Sequence, residues 1–163
     1  MKQRDSHMKT IRSLVINKLI DITQNKQYSE LLKYLIAQGL QTLIESNVTI
    51  QCRKSDLKLV QSVLHDGIEI YQNNLKQATG ITPVVHVKID ESNFLPAAPK
   101  SSDDTQLSCV GGVILSANNG EIVCKNTLDN RLDIALERLR PQLRSIIWGE
   151  TKKSVHAAKE NKH

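Results

Sequence analysis

Residues 48–89 restrict the fold more tightly than any other stretch of this chain. Val48-Thr49-Ile50-Gln51-Cys52-Arg53 is β-branched and alternating, which puts Val48, Ile50 and Cys52 on one face of a half-buried strand. Ser55 stands as an N-cap, with Asp56 in the first turn where the helix dipole favours an anion. Leu57, Val60, Val63, Leu64, Ile68, Tyr71 and Leu75 then recur at helical spacing for about five turns. Gly80 sits where the left-handed cap residue belongs. A second strand follows at 83–89, with Val85, Val87 and Ile89 on one face. A helix of that length between two strands is a crossover, so the strands are expected to lie parallel or to neighbour each other.

The flanking segments complete an α+β pattern. Ile11, Leu14, Val15, Leu19 and Ile22 make an apolar stripe on a helix over 9–25, although Ile16 and Ile20 fall on its polar side. Tyr28, Leu31, Leu32, Leu35, Gly39 and Leu43 continue into a second helix, ended by Ser46-Asn47. Residues 91–106 carry Pro96, Pro99 and a Ser/Asp run, a sixteen-residue connection expected to be mobile. Segments 107–115 and 121–125 read as a hairpin around Asn118-Asn119-Gly120, residues that tolerate positive φ. Paired positions then sum to about 238 or 239, which sets Cys124 opposite about residue 114 and not opposite Cys109. Thr127 caps a last helix lined by Leu128, Leu132, Ala135, Leu139, Leu143 and Ile146, where Pro141 should produce a kink or break. Residues 150–163 have no apolar stripe and read as a frayed, charged tail. The expected fold is α+β: a four-stranded mixed sheet, helices packed mainly on one face, and an N-terminal helix projecting away. The boundaries are 1–25 for that helix, 26–149 for the globular part and 150–163 for the tail.

Composition narrows the chemistry. Aromatic residues are only 3% of the 163, so the core is expected to be aliphatic. No stretch approaches the roughly 20 apolar residues that cross a bilayer, and the N-terminus lacks a signal-peptide core. Three cysteines, Cys52, Cys109 and Cys124, form no CxxC pair and read as reduced thiols, with no ligand spacing for a metal. Gly111-Gly112 precedes no helix, so it reads as a bulge or close backbone approach and not as a phosphate cradle. Asp129 and Asp133, one turn apart with Arg131 between them, read as a solvated, charge-laced face. His86 has no recognisable nucleophile or acid beside it; a small-hydrolase reading rests on it and on loose carboxylates only. The net charge of +5 raises an alternative, a basic nucleic-acid-binding α+β module, but the basic residues are dispersed and no aromatic pair marks a base-stacking strand. No catalytic, cofactor-binding or metal-binding residue emerges.

A set of local phrases carries a resemblance. Val48-Thr49-Ile50-Gln51-Cys52-Arg53-Lys54-Ser55-Asp56-Leu57 resembles the strand-to-helix segment of the E subunit of the vacuolar-type proton-pumping ATPase. Phe94-Leu95-Pro96 falls where that family has an aromatic-Leu-Pro phrase. Gly111-Gly112-Val113 and Asn126-Thr127-Leu128-Asp129-Asn130-Arg131-Leu132-Asp133 are similar to its most specific signature, with Pro141, Arg144 and Trp148-Gly149 following at the family's spacing. The resemblance runs over about 4–149. It implies that the chain corresponds to the C-terminal part of such a protein and keeps only the end of a long charged helix. The connection over 96–106 departs from the family in being longer and richer in Ser and Asp.

The resemblance implies a stator: a non-catalytic peripheral-stalk component that holds the catalytic head against torque during ATP-driven proton transport. Implied partners are the G subunit through helix pairing, the B subunit of the head, and the C, H and a subunits of the collar and membrane sector, with no nucleic acid, no cofactor and no membrane insertion. The implied location is the cytosolic face of vacuolar and other endomembranes. The apolar stripe of the first helix suits a partner helix, and Ile11, Leu14, Val15 and Leu19 are the expected contacts with the G subunit. Packing of the same residues within the chain is the alternative. Asp129, Arg131 and Asp133 are expected to act as structural caps and salt links.

Overall fold

A computed structural model describes residues 2–99 and 108–148. The elements run α1 (Lys2–Gln24), α2 (Gln27–Leu43), β1 (Asn47–Gln51), α3 (Leu57–Thr79), β2 (His86–Ile89), β3 (Gly112–Ala117), β4 (Ile122–Thr127) and α4 (Leu128–Trp148). By its internal contacts the chain forms two compact units, Met1–Leu132 and Asp133–His163. The described part of the second is the remainder of α4.

The first unit has the expected α+β architecture. Its mixed sheet has the order β2-β1-β3-β4. The α3 crossover makes β1 and β2 parallel neighbours, with Val48 beside Val87 and Ile50 beside Ile89. β3 runs antiparallel to both β1 and β4. The hairpin register sets Leu115 opposite Cys124, a sum of 239. Its turn holds Asn118, Asn119 and Gly120 at φ of 50°, 56° and 92°, which the Asn-Asn-Gly sequence supplies at little steric cost.

α2 packs on β3 and β4, and α3 packs along α2. Two glycines set those spacings. A Cβ on Gly39 would lie 2.3 Å from Leu115 Cδ1, and one on Gly67 would lie 3.0 Å from Ile36 Cγ2. Between them lies the core: Leu32, Leu35, Ile36 and Leu40 of α2, Val60 and Val63 of α3, and Val48, Ile50, Val113 and Leu115 of the sheet. Each such side chain contributes on the order of 1.5–3 kcal/mol by leaving water. The core is not purely aliphatic, however. Tyr28 and Tyr71 are among the largest fully buried side chains, so two of the few aromatics are placed where their volume counts most.

Several local expectations are corrected. Ser55 does not cap α3. Lys54–Asp56 forms a 3-10 turn, Asp56 precedes the α-helix without a capping bond, and its carboxylate turns inward to Arg53. Of the kink or break expected at Pro141, the break does not occur: α4 runs from Leu128 through Trp148 with Pro141 inside it. The second strand begins at His86 and not at 83, and the hairpin strands end later than expected. Residues 91–99 are tied down: Leu95 N–H donates to Cys52 C=O at 3.0 Å, and Cys109 N–H donates to Ala97 C=O at 3.1 Å. The rest of that connection, 100–106, and the tail at 150–163 lie outside the described residues.

Candidate anchoring site

The polar chemistry of the first unit gathers around Gly111-Gly112, at the start of β3. Asp56 is its centre. Arg53 donates from Nε to Asp56 Oδ2 at 2.7 Å and from Nη2 to Oδ1 at 2.9 Å, a bidentate pair buried at both ends. Tyr28 Oη donates to Asp56 Oδ2 at 2.9 Å, and Ser55 Oγ donates to Oδ1 at 3.1 Å. The Tyr28 hydroxyl in turn accepts the Gly112 N–H at 2.8 Å, and the Arg53 guanidinium lies 6.0 Å from the centre of the Tyr28 ring.

The two glycines are required here. A Cβ on Gly111 would meet Tyr28 Oη at 2.6 Å and Thr23 Cγ2 at 3.1 Å. Gly112 has φ of 94°, and a Cβ there would fall 2.6 Å from the Asn126 carbonyl. The Gly-Gly pair is thus a close backbone approach, as its position inside a strand pattern suggested.

The Asn126–Asp133 phrase builds a collar around the start of α4. Asn126 Nδ2 donates to Leu35 C=O at 2.7 Å, fastening β4 to α2. Arg131 Nη1 donates to Asn126 Oδ1 at 3.0 Å and also to Gln38 Oε1. Thr127 Oγ1 accepts the Asn130 N–H, the expected N-cap, and Asn130 Nδ2 donates to Lys125 C=O at 2.9 Å. Leu128 N–H donates to Gly111 C=O, and Asp129 Oδ2 accepts the Val110 N–H at 2.8 Å. Asp129 and Arg131 are thus engaged structurally, through these bonds to uncharged groups instead of the caps and salt links expected of them. Asp133 lies exposed at the start of the second unit.

These groups fasten the elements of the first unit to one another through hydrogen bonds. Among the described residues, no buried side-chain nitrogen or oxygen lacks a hydrogen-bond partner. Burial, more than any neighbour, raises the Tyr28 hydroxyl above its ordinary range. Burial likewise pushes the Cys52 and Cys109 thiols up to about 11. Cys109 Sγ donates to Gly111 C=O at 3.6 Å, and all three cysteines are free. Among the described residues no cluster of His, Cys, Asp and Glu is arranged to hold a metal ion, and no helix is long and apolar enough to cross a membrane. His86 stands exposed on the polar face of the sheet, opposite Asn47 in the register and on the same side of β2 as Lys88. Asn47, Thr49, Gln51, His86, Lys88, Ile114, Ser116, Val123 and Lys125 on that face include no Phe, Tyr or Trp.

The four residues expected to meet a partner helix divide on α1. Leu14 is 60% exposed, whereas Ile11, Val15 and Leu19 are half-buried. Ile16, which periodicity assigned to the polar side, is the buried one at 5%. The Tyr28–Asp56–Arg53 group was not singled out from sequence. Its signal was present in Arg53 and Asp56, an opposite-charge pair three residues apart directly after a strand.

Residues 1–148 match the family described as ATP synthase (E/31 kDa) subunit. The chain belongs to that family. Among its relatives, the V-type proton ATPase E1 subunit of Arabidopsis thaliana is 36% identical over 151 residues, covering 92% of this chain and 64% of the relative. The V-type proton ATPase E subunit of Dictyostelium discoideum is 35% identical over 150 residues, 91% of this chain and 61% of the relative. The corresponding E subunit of Mesembryanthemum crystallinum reaches 41% over 122 residues, 75% of this chain and 51% of its own. The chain thus spans a little under two-thirds of the length of the curated relatives it matches. Within the ATP synthase (E/31 kDa) subunit family, the match includes every residue of the Gly111-Gly112 lock and of the α4 collar.

Proposed function

We propose that the chain serves as a non-catalytic peripheral-stalk component of a vacuolar-type proton-transporting ATPase, holding the catalytic head against torque. The observation that carries this reading is the family match over 1–148, with relatives named as E subunits of V-type proton ATPases. The geometry supports it. A stator needs a stiff domain fastened to a helix, and Tyr28, Arg53 and Asp56 at the centre of the first unit are engaged in fastening. In this reading residues 1–25 close the stalk helix, and the domain beginning at residue 26 grips the B subunit of the head. The stalk helix pairs with the G subunit and approaches the C, H and a subunits toward the membrane, all on the cytosolic side. Exposed Leu14 is the leading contact for the G subunit, with Ile11, Val15 and Leu19 beside it.

Co-expression with the G subunit tests the reading. A stable 1:1 complex is expected by size exclusion with light scattering, and Leu14→Asp should abolish it while leaving the circular dichroism of the chain unchanged. A folded chain that fails to pair with the G subunit would refute the assignment.

A further inference from the structure

Where α1 hands over to α2, the chain closes on the sheet in an unusual way. α1 ends at Gln24, Asn25 and Lys26 make the turn, and α2 starts at Gln27. The turn is held by Asn25 N–H to Ile22 C=O at 3.1 Å and Tyr28 N–H to Asn25 C=O at 3.0 Å. The Thr23 methyl, from the last turn of α1, and the Tyr28 hydroxyl, from the first turn of α2, both lie against Gly111. The corner therefore grips the start of β3 with one group on each side of the bend. Gly111 is itself held by α4 through Leu128 N–H, and Tyr28 is held by the β1–α3 junction through Asp56.

We propose that Tyr28 is a positioning residue that fixes the direction in which α1 leaves the sheet domain, by locking the α1–α2 corner to Asp56 and Gly112. The chemistry is specific to the hydroxyl. It is both donor and acceptor, and it bridges an anion already held by Arg53 to a backbone amide in a strand. Other buried side chains of α2 contribute apolar volume, which holds a helix in place without fixing the angle of the helix before it. In the stalk reading, on which the purpose of this lock rests, the corner is where torque carried by α1 enters the domain.

The test is a pair of distance measurements on the full chain in a Cys124→Ser background, which leaves two buried native thiols. Spin labels at Asn17→Cys on α1 and Lys58→Cys on α3 report the α1 direction; labels at Lys58→Cys and Asn119→Cys report the domain alone. The unsubstituted corner should give one narrow distance for the first pair. Tyr28→Phe should raise the population of open corners about tenfold, the scale expected for one buried hydrogen bond to a charged group, and broaden that distribution. The second pair should stay unchanged. Tyr71→Phe, which removes the hydroxyl of another buried tyrosine, should leave both pairs unchanged.

An unaltered first pair in Tyr28→Phe, or equal broadening of both pairs, overturns the proposal. If Tyr28→Phe does not fold, amide exchange in the unsubstituted chain decides. Gly112 N–H and the last-turn amides of α1 should open in one event, with equal opening free energies; unequal values overturn the lock. None of these outcomes depends on the G subunit, so the lock and the stalk assignment fail separately.

Discussion

The Asp56 cluster predicts an ordered set of stability losses. Asp56 accepts four hydrogen bonds: two from Arg53, one from Tyr28 and one from Ser55. Tyr28→Phe removes one and also leaves the Gly112 N–H without its acceptor, so it should cost about 1–3 kcal/mol. Arg53→Met removes the cation and two of the four bonds, leaving a buried carboxylate held only by hydroxyls; breaking a buried pair in this way costs about 3–5 kcal/mol. Asp56→Ala removes all four and strands both a guanidinium that is 5% exposed and the Tyr28 hydroxyl, so it should cost at least as much as Arg53→Met. The double change Arg53→Met with Asp56→Leu removes both charges together and should be milder than either single loss, because no unpaired charge remains. Urea unfolding at a fixed pH, read by linear extrapolation, gives all four values. An Arg53→Met chain within about 0.5 kcal/mol of the original, the usual range of a surface substitution, would refute the argument that this pair is a desolvated, mutually dependent unit.

Two further outcomes follow from the titrating groups. Asp90 accepts N–H groups of Ser92 and Asn93, then the side-chain amides of Asn93 and Gln51, and these hold its carboxyl down at about 2. A depressed acid stabilises the fold above its unfolded value, and that contribution is lost as pH falls from about 4 toward 2. The Asp90 carboxyl and the Ser92 and Asn93 amide resonances should therefore titrate together near 2, and a midpoint at the ordinary carboxylate value would contradict the loop geometry. Among the thiols, half-buried Cys124 should be alkylated first at about pH 8; Cys52 and Cys109, buried with thiols near 11, should react only on unfolding, as mass spectrometry of peptides would read.

Periodicity carried the elements and their order because it reports which face is buried. The β-branched alternation at 48–53, the stripe from Leu57 to Leu75 and the Asn-Asn-Gly turn were each consistent with the sheet that forms. Periodicity failed where a polar residue was claimed by something distant. Ser55 and Asp56 have the composition of a helix cap, yet Asp56 is drawn to Arg53 and to Tyr28, 28 residues away. On α1 the same pattern could not rank Ile16 above Leu14, since both lie on a helix with apolar residues on more than one side. The α4 collar was legible as a phrase but not as a set of bonds, because Asn126 to Leu35 and Arg131 to Gln38 join segments about 90 residues apart.

The hydroxyl of Tyr28 and the amide of Gly112 that meets it are 84 residues apart. A ribosome releases the first long before the second exists. During synthesis the N-terminal helix can form on its own, but its bearing relative to the rest waits for β3 to join the sheet, and closing so long a loop is among the slower steps of folding. A partner helix that met α1 early would meet a rod without a heading. One that met it late would find the heading already chosen.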